Sequence, residues 1–314
     1  MTAPTSLQIK LSLMELYRLT CTVERKFFNR FMFFINALFY SEQFNKLHNF
    51  FANFINISVI AHNTRIYRKL FDAYLFCGLT VNEKMLYITG HYQYLQNNYS
   101  VEFISSIYLL ENGSILLGKI QLDNCNDLSI KLVKPSTGFL KEGELNLMLI
   151  DDETNISIFS STFIFNDENN ITRIIIGRIQ GTPSRYADGE EMIRNLTKNM
   201  HGLRPSALLI YIFQCICKQM EIDELWAVTT EKHISKCTRV QRRDRFKMDY
   251  NQYWIEFGGV KTNESYYTLP TNFKPKDMAA IKSNKRAMYS RRFNMMIKLE
   301  AEVMNTLKLW VLPT

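Results

Sequence analysis

Glycine and proline are scarce in this chain, 12 and 7 among 314 residues, and that shortage excludes a collagen-like, repeat-array or low-complexity architecture. The six cysteines (Cys21, Cys77, Cys125, Cys215, Cys217 and Cys237) contain no CxxC pair. Their spacing resembles neither a zinc site nor a dense disulfide frame, and a reducing cytosol is the expected setting. The histidines show no HExxH and no carboxylate-linked spacing, so no metal site is indicated. No GxGxxG follows a strand pattern and no Walker-type lysine loop is present, which removes two common nucleotide fingerprints. No run reaches the roughly 20 apolar residues that span a bilayer. FFNRFMFFINALFY, residues 27–40, comes nearest and is interrupted by Arg30. The first twenty residues lack a cationic start followed by a clean apolar stretch, so no secretory signal is expected.

What the chain does contain is apolar mass and positive charge. Hydrophobic residues make up 46% and the formal net charge is +8, enough core for a folded protein and a preference for an anionic partner: a phosphorylated cofactor, a phospholipid or lipopolysaccharide surface, or, less favoured for want of an RNP or KH signature, nucleic acid. The charge is concentrated at 232–247 (KHISKCTRVQRRDRFK) and 282–298 (KSNKRAMYSRRFNMMIK). In the second run helical spacing puts Lys285, Arg286, Tyr289 and Arg292 on one face with Arg291 at its side. Two readings stay open, a solvated helix face and a set of phosphate contacts.

Residues 1–98 read as a helical region. Phe27, Phe31, Phe34 and Leu38 recur at spacings of three and four, a stripe that either packs on the rest of the protein or lies in a membrane interface. From residue 99 to 275 the pattern is that of an α/β unit. VEFISSIYLL, an Asn112-Gly113 turn and ILLGKIQL read as a hairpin. Strands follow at DLSIKLVKP, ELNLMLIDD, SIFSSTFIF and ITRIIIGRIQG, an antiparallel meander. A helix at EEMIRNLTKNM is broken by HGLRP, and SALLIYIFQCICKQM is apolar almost all round, hence buried. ELWAVTT reads as a central strand, NQYWIEFGG as a short helix and SYYTLP as a further strand. Residues 276–314 form a basic C-terminal helix packed on this unit.

Three places hold candidate chemistry. HGLRPSALL, 201–209, opens a buried helix after a strand, where unpaired amides favour an anion: Gly202 permits close approach, Arg204 forks onto a phosphate or carboxylate, and Ser206 sits in the first turn. GRIQG brings Arg178 and Gln180 to a strand end as a second wall. DYNQYW supplies Asp249, either a helix N-cap or a general base, and His201 is the other candidate base.

GRIQG, HGLRP, DYNQYW with its following FGG, and KRAMYSRR (285–292), taken in that order, resemble the VirK/YbjX family of bacterial proteins. The resemblance covers most of the chain. It implies a cytoplasmic or membrane-peripheral protein tied to virulence, envelope integrity and survival of host antimicrobial peptides, with no assigned reaction. A more distant resemblance, over PSALLIYIFQCICKQMEIDELWAVTT and NQYWIEFGGVKTNESYYTL, is to the C-terminal half of the GNAT acyltransferases. It implies an α+β fold, a helical N-terminal region on a mixed, mostly antiparallel sheet, with acyl-CoA held by Arg178, Gln180, Gly202, Arg204 and Ser206, and His201 or Asp249 as base. This chain departs from that pattern at Pro205, which lacks an amide donor where the superfamily loop has glycine. An acyl or aminoacyl transferase, a non-catalytic binder of anionic lipid, lipopolysaccharide precursor or RNA, and an accessory factor for a surface virulence protein are the functions carried forward.

Overall fold

A computed structural model describes residues 10–24, 26–54, 64–181, 189–237 and 249–312. The N-terminal region is helical, as its periodicity requires: α1 (Leu13–Val23), α2 (Phe27–Phe39), α3 (Ser41–Asn53), a 3-10 turn at Thr64–Leu70 and α4 (Val81–Asn98). Ser12 and Thr80 open α1 and α4 with capping boxes, each hydroxyl accepting from the third helical amide while Glu15 or Glu83 reaches back. Only Phe33 and Ala37 of α2 are buried; Phe27, Phe31 and Leu38 of the predicted stripe are exposed.

VEFISSIYLL is not a strand. It forms α5 (Val101–Tyr108), capped by the Ser100 hydroxyl on the Phe103 amide. Phe103, Ile104, Ile107 and Tyr108 are all buried, which is helical rather than alternating spacing. Gly113 ends the turn after this helix because any Cβ there would lie 2.2 Å from the Ser106 carbonyl oxygen. The hairpin expected around Asn112-Gly113 is therefore replaced by a helix-to-strand connection.

One sheet of eight strands follows, in the order β1-β2-β3-β4-β5-β6-β8-β7. β1 (Ser114–Ile120), β2 (Leu128–Val133), β3 (Leu145–Asp151), β4 (Ser157–Glu168) and β5 (Ile171–Gly181) make the antiparallel meander that their alternation predicts. From β5 the chain passes through α6 (Gly189–Asn199) and α7 (Pro205–Gln219) and returns as β6 (Glu224–Val228), parallel to β5. α8 (Tyr250–Glu256), β7 (Val260–Lys261) and β8 (Tyr266–Leu269) complete the sheet, and α9 (Ser283–Trp310) closes the chain. The result is an α+β protein with a helical N-terminal region on a mixed, mostly antiparallel sheet.

β4 outruns β3, whose pairing stops at Phe163. α4 meets this overhang, where His91 Nδ1 accepts the Phe165 amide at 3.0 Å. The proton is thereby assigned to Nε2, which donates to Tyr108 Oη, and Tyr108 donates to the Glu144 carbonyl. Burial keeps this imidazole neutral, its pKa well below the usual range. Beside it the Glu144 carboxylate meets Lys69 at 2.7 Å and accepts from Tyr74 and Tyr92. This buried polar network ties the N-terminal helices to the residue just before β3, Glu144, and each of these charges has a partner.

α7 is buried nearly all round, with Phe213 edge-on to Phe163. α9 lies over β1, placing Leu299 on Gly118, and its Glu302 accepts the Lys119 amide. At its far end the Ser100 amide donates to the Trp310 carbonyl and the Leu312 amide to Asn98. Against the reducing setting expected from the cysteine spacing, Cys77 and Cys237, 160 residues apart, are joined in a disulfide, a bond that persists in oxidising surroundings. Cys215 and Cys217 are buried in α7 as expected, and burial pushes both thiols up to about 12.

Candidate functional site at the fork between β5 and β6

Parallel pairing between β5 and β6 covers only Arg173–Ile176 against Glu224–Ala227. β5 then carries an irregularity at Gly177, where its register with β4 shifts, and the two strands have no further ladder between them. In open sheets ligands gather beyond the carboxyl ends of parallel strands, and this end is where α7 and α8 also begin. Two aromatic residues of α8 occupy the fork. Tyr250 Oη accepts the Ile179 amide at 3.2 Å and donates to the Ile179 carbonyl at 2.9 Å. Trp254 Nε1 donates to the Val228 carbonyl at 2.9 Å. The hydroxyl and the indole thus satisfy backbone groups that a longer strand pair would have satisfied.

Behind Tyr250 lies a buried ionisable cluster. Arg178, 4% exposed, sits 3.4 Å from the Glu142 carboxylate and 3.5 Å above the Phe139 ring centre. Its Nη2 has no hydrogen-bond partner among the described residues. Glu142 arrives from the β2–β3 loop, which can settle on β5 only because residue 177 is glycine: a Cβ there would be 2.0 Å from the Glu142 carbonyl oxygen. Burial raises the Glu142 carboxyl to about 7, against the opposing pull of Arg178. His233 lies 3.9 Å from the same carboxylate and edge-on to Tyr250. Burial, then Arg178, drive its pKa down to about 3, and its Nδ1 accepts the Ser235 amide, so the ring is neutral at physiological pH. The arrangement is a carboxyl that titrates near neutrality, a neutral imidazole, a guanidinium and a phenol, all within one buried cluster.

The sequence-derived candidates fall into three groups. Arg178 belongs to this cluster, and Gln180, half-buried, stands at the strand end opposite Ser160. His201 and Gly202, both at positive φ, end α6, where the Gly202 amide donates to the Thr197 carbonyl. Arg204 is the N-cap of α7 without a capping side chain and pairs with Glu256 of α8. Pro205 occupies the first helical position, and the Ser206 carbonyl accepts from Tyr253 Oη at 3.1 Å. Asp249 caps α8, its Oδ1 accepting from the Gln252 amide and the Thr230 hydroxyl. On α9, Arg286 donates to the carbonyls of Ile281 and Ala279, and Arg292 donates twice to the His201 carbonyl. Lys285 and Arg291 are exposed. The basic face thus divides: two arginines brace backbone turns and two cations face solvent. Much of the first basic run, from 238 to 247, lies outside the described residues.

Glu142 and His233 were not legible as partners of Arg178. Both reach it from distant loops, Glu142 from 36 positions away, and neither sits in a motif. Among the described residues no group of three or more His, Cys, Asp or Glu is placed to hold a metal ion.

Fold and fork together define an α+β protein with an ionisable cluster at the carboxyl end of its only parallel strand pair among the described residues. The chain belongs to DUF535, a family described as a protein of unknown function, whose model matches residues 22–305. It is similar to the uncharacterised protein YbjX of Escherichia coli K12, at 27% identity over 257 residues, 81% of this chain and 76% of that one. Two uncharacterised proteins of Haemophilus influenzae are also similar, one 26% identical over 62% of either chain, the other 28% identical over 39% of this chain and 40% of its own length. The VirK/YbjX resemblance of the sequence motifs is thereby established as a family relationship. No solved structure matches the chain. No described helix is long and apolar enough to cross a membrane.

Proposed function

We propose that the chain is a GNAT-like acyltransferase acting at the fork between β5 and β6, on an amine or hydroxyl acceptor of the bacterial envelope. The observation that carries this reading is Glu142, a carboxyl at about 7 held beside Arg178 at the end of the only parallel pair among the described residues. A base is most effective when its pKa lies near the working pH. Supporting it is the order of meander, buried helix, central strand, aromatic helix and returning strands, the order on which the GNAT resemblance rests.

In this reading Glu142 takes a proton from the acceptor as its nitrogen or oxygen attacks the acyl thioester carbonyl. The new bond forms as the carbon–sulfur bond breaks, and Tyr250 Oη protonates the departing thiolate. The Ile179 amide and carbonyl, facing the open side of β5, suit the amides of an acyl carrier arm in the manner of an added strand. The fit has a condition: Tyr250 Oη holds both groups, so its ring must swing aside. Pro205 supplies no amide and Arg204 is engaged by Glu256, leaving the amides of Ser206 and Ala207 for phosphate. The envelope setting, a location peripheral to the inner membrane, and a role in virulence and antimicrobial-peptide resistance rest on the VirK/YbjX relationship.

A second reading, a non-catalytic binder that kept the fold, is favoured by one observation, the closure of the fork by Tyr250. Calorimetric titration with CoA and acyl-CoA separates them. The transferase reading expects saturable binding by the parent, tighter binding by Tyr250→Phe, and retained binding but about 100-fold or greater loss of thiol release in Glu142→Gln. No binding by the parent or by Tyr250→Phe overturns it.

A further inference from the structure

We infer that α1 and α2 form a docking face for an anionic phospholipid surface. Twenty large apolar side chains are exposed among the described residues, and ten of them (Leu13, Met14 and Tyr17 on α1, and seven between Phe27 and Phe39) belong to these two helices. Phe27 is 80% exposed, Phe28 71% and Phe39 79%. At 3.6 residues per turn the seven exposed residues of α2 form a broad apolar arc on the side away from the buried Phe33 and Ala37. Tyr17 packs edge-on against Phe34, which joins the apolar faces of the two helices. A patch this dense is uncommon on a free surface and marks a place of contact.

Charge identifies the occupant. From residue 26 to 40 the only charged side chains are Lys26, which is exposed, and Arg30, which is half-buried and donates its Nε–H to the Glu24 carbonyl. Arg18 and Lys10 are exposed beside α1. Of the two acids of this helix pair, Glu24, 5% exposed, pairs with Arg68 at 2.7 Å, and Glu15 stays exposed in the capping box with Ser12, so the outward balance is Lys10, Arg18 and Lys26 against Glu15. What remains outward is aromatic surface rimmed by cations, the composition of a helix that lies in the plane of an anionic interface. Length agrees. The 13 residues of α2 extend for about 20 Å, short of the roughly 30 Å hydrocarbon core, so the helix rests on the bilayer rather than crossing it.

Vesicle flotation of the full chain tests this, with phosphatidylcholine vesicles and with phosphatidylcholine–phosphatidylglycerol vesicles. The expected result is flotation with the mixed vesicles only, weakened roughly 25-fold in an Arg18→Ala, Lys26→Ala variant, on the basis of about fivefold per basic residue near an anionic surface. Flotation is expected to be lost in Phe27→Ser, Phe28→Ser, Phe31→Ser, whose exposed positions leave the core intact. The Phe28→Trp variant gives a second readout: the emission of its added indole shifts to the blue on binding the mixed vesicles. Equal flotation of the parent and the serine variant, or an unshifted indole emission in floated Phe28→Trp protein, overturns the inference. So does failure of the parent to float while sedimentation shows dimers that the serine variant abolishes, which assigns the face to a second copy of the chain.

Discussion

Glu142 and His233 face each other across 3.9 Å with pKa values displaced in opposite directions, to about 7 and about 3. Their effects on stability therefore oppose. Glu142 is raised above its unfolded value of 4.5, so the folded state holds the extra proton; its contribution is complete below about pH 4.5 and is lost as pH rises through about 7. His233 is depressed from 6.5, so its contribution is present above about pH 6.5 and is lost as pH falls toward about 3. Replacing Glu142 by Gln removes only the first slope. The stability of the parent relative to Glu142→Gln is expected to decline between about pH 5 and about pH 8, by on the order of 3 kcal/mol, in denaturant titrations at each pH. A difference that does not change with pH means that Glu142 is not raised. The two arginines form a contrast of the same kind. Arg178→Ala breaks a buried pair, leaving Glu142 to hold its proton at neutral pH, and empties the space over the Phe139 ring, so it is expected to cost about 3 kcal/mol or more, whereas Arg204→Ala, breaking an exposed pair, costs less than about 1 kcal/mol.

Elements differ in how far their residues disclosed them. β2 to β5 were legible because alternation and turn residues agree, and α7 because its apolar positions leave no polar face. α5 was misread: an apolar octet beside an Asn-Gly pair satisfies a hairpin pattern, and its helical character shows only in the positions it buries and in the Ser100 cap. Whether the Phe27–Leu38 stripe of α2 meets the core or faces outward was undecided in sequence, since helical spacing marks an apolar face without saying what covers it. At the fork, Arg178 was recognisable from its place at a strand end, yet its partners reach it through tertiary folding. Gly177 is the element-scale device that admits the Glu142 loop. Gly177→Ala is expected to push the β2–β3 loop off β5 and to cost about 2 kcal/mol or more by thermal or denaturant unfolding, with loss of Glu142's displaced titration. Unchanged stability with Glu142 still titrating near neutrality excludes that account.

On the scale of the whole molecule, the N-terminal helices and the sheet share one apolar core, cross-linked by the Glu144 network and by Cys77–Cys237. The bridge closes a long stretch of chain, and its removal by Cys237→Ser is expected to lower unfolding free energy by about 2–4 kcal/mol. Identical unfolding of parent and variant under oxidising conditions means that the pair contributes nothing in solution. The last helix raises a separate matter, that of synthesis. α9 covers Gly118 of β1, and its end and the residues after it pair with Asn98 and Ser100. A chain made from its N-terminus must therefore hold the first edge of its sheet uncovered until α9 has been made. The interval between the synthesis of β1 and that of α9 is when the nascent sheet edge is most in need of a chaperone.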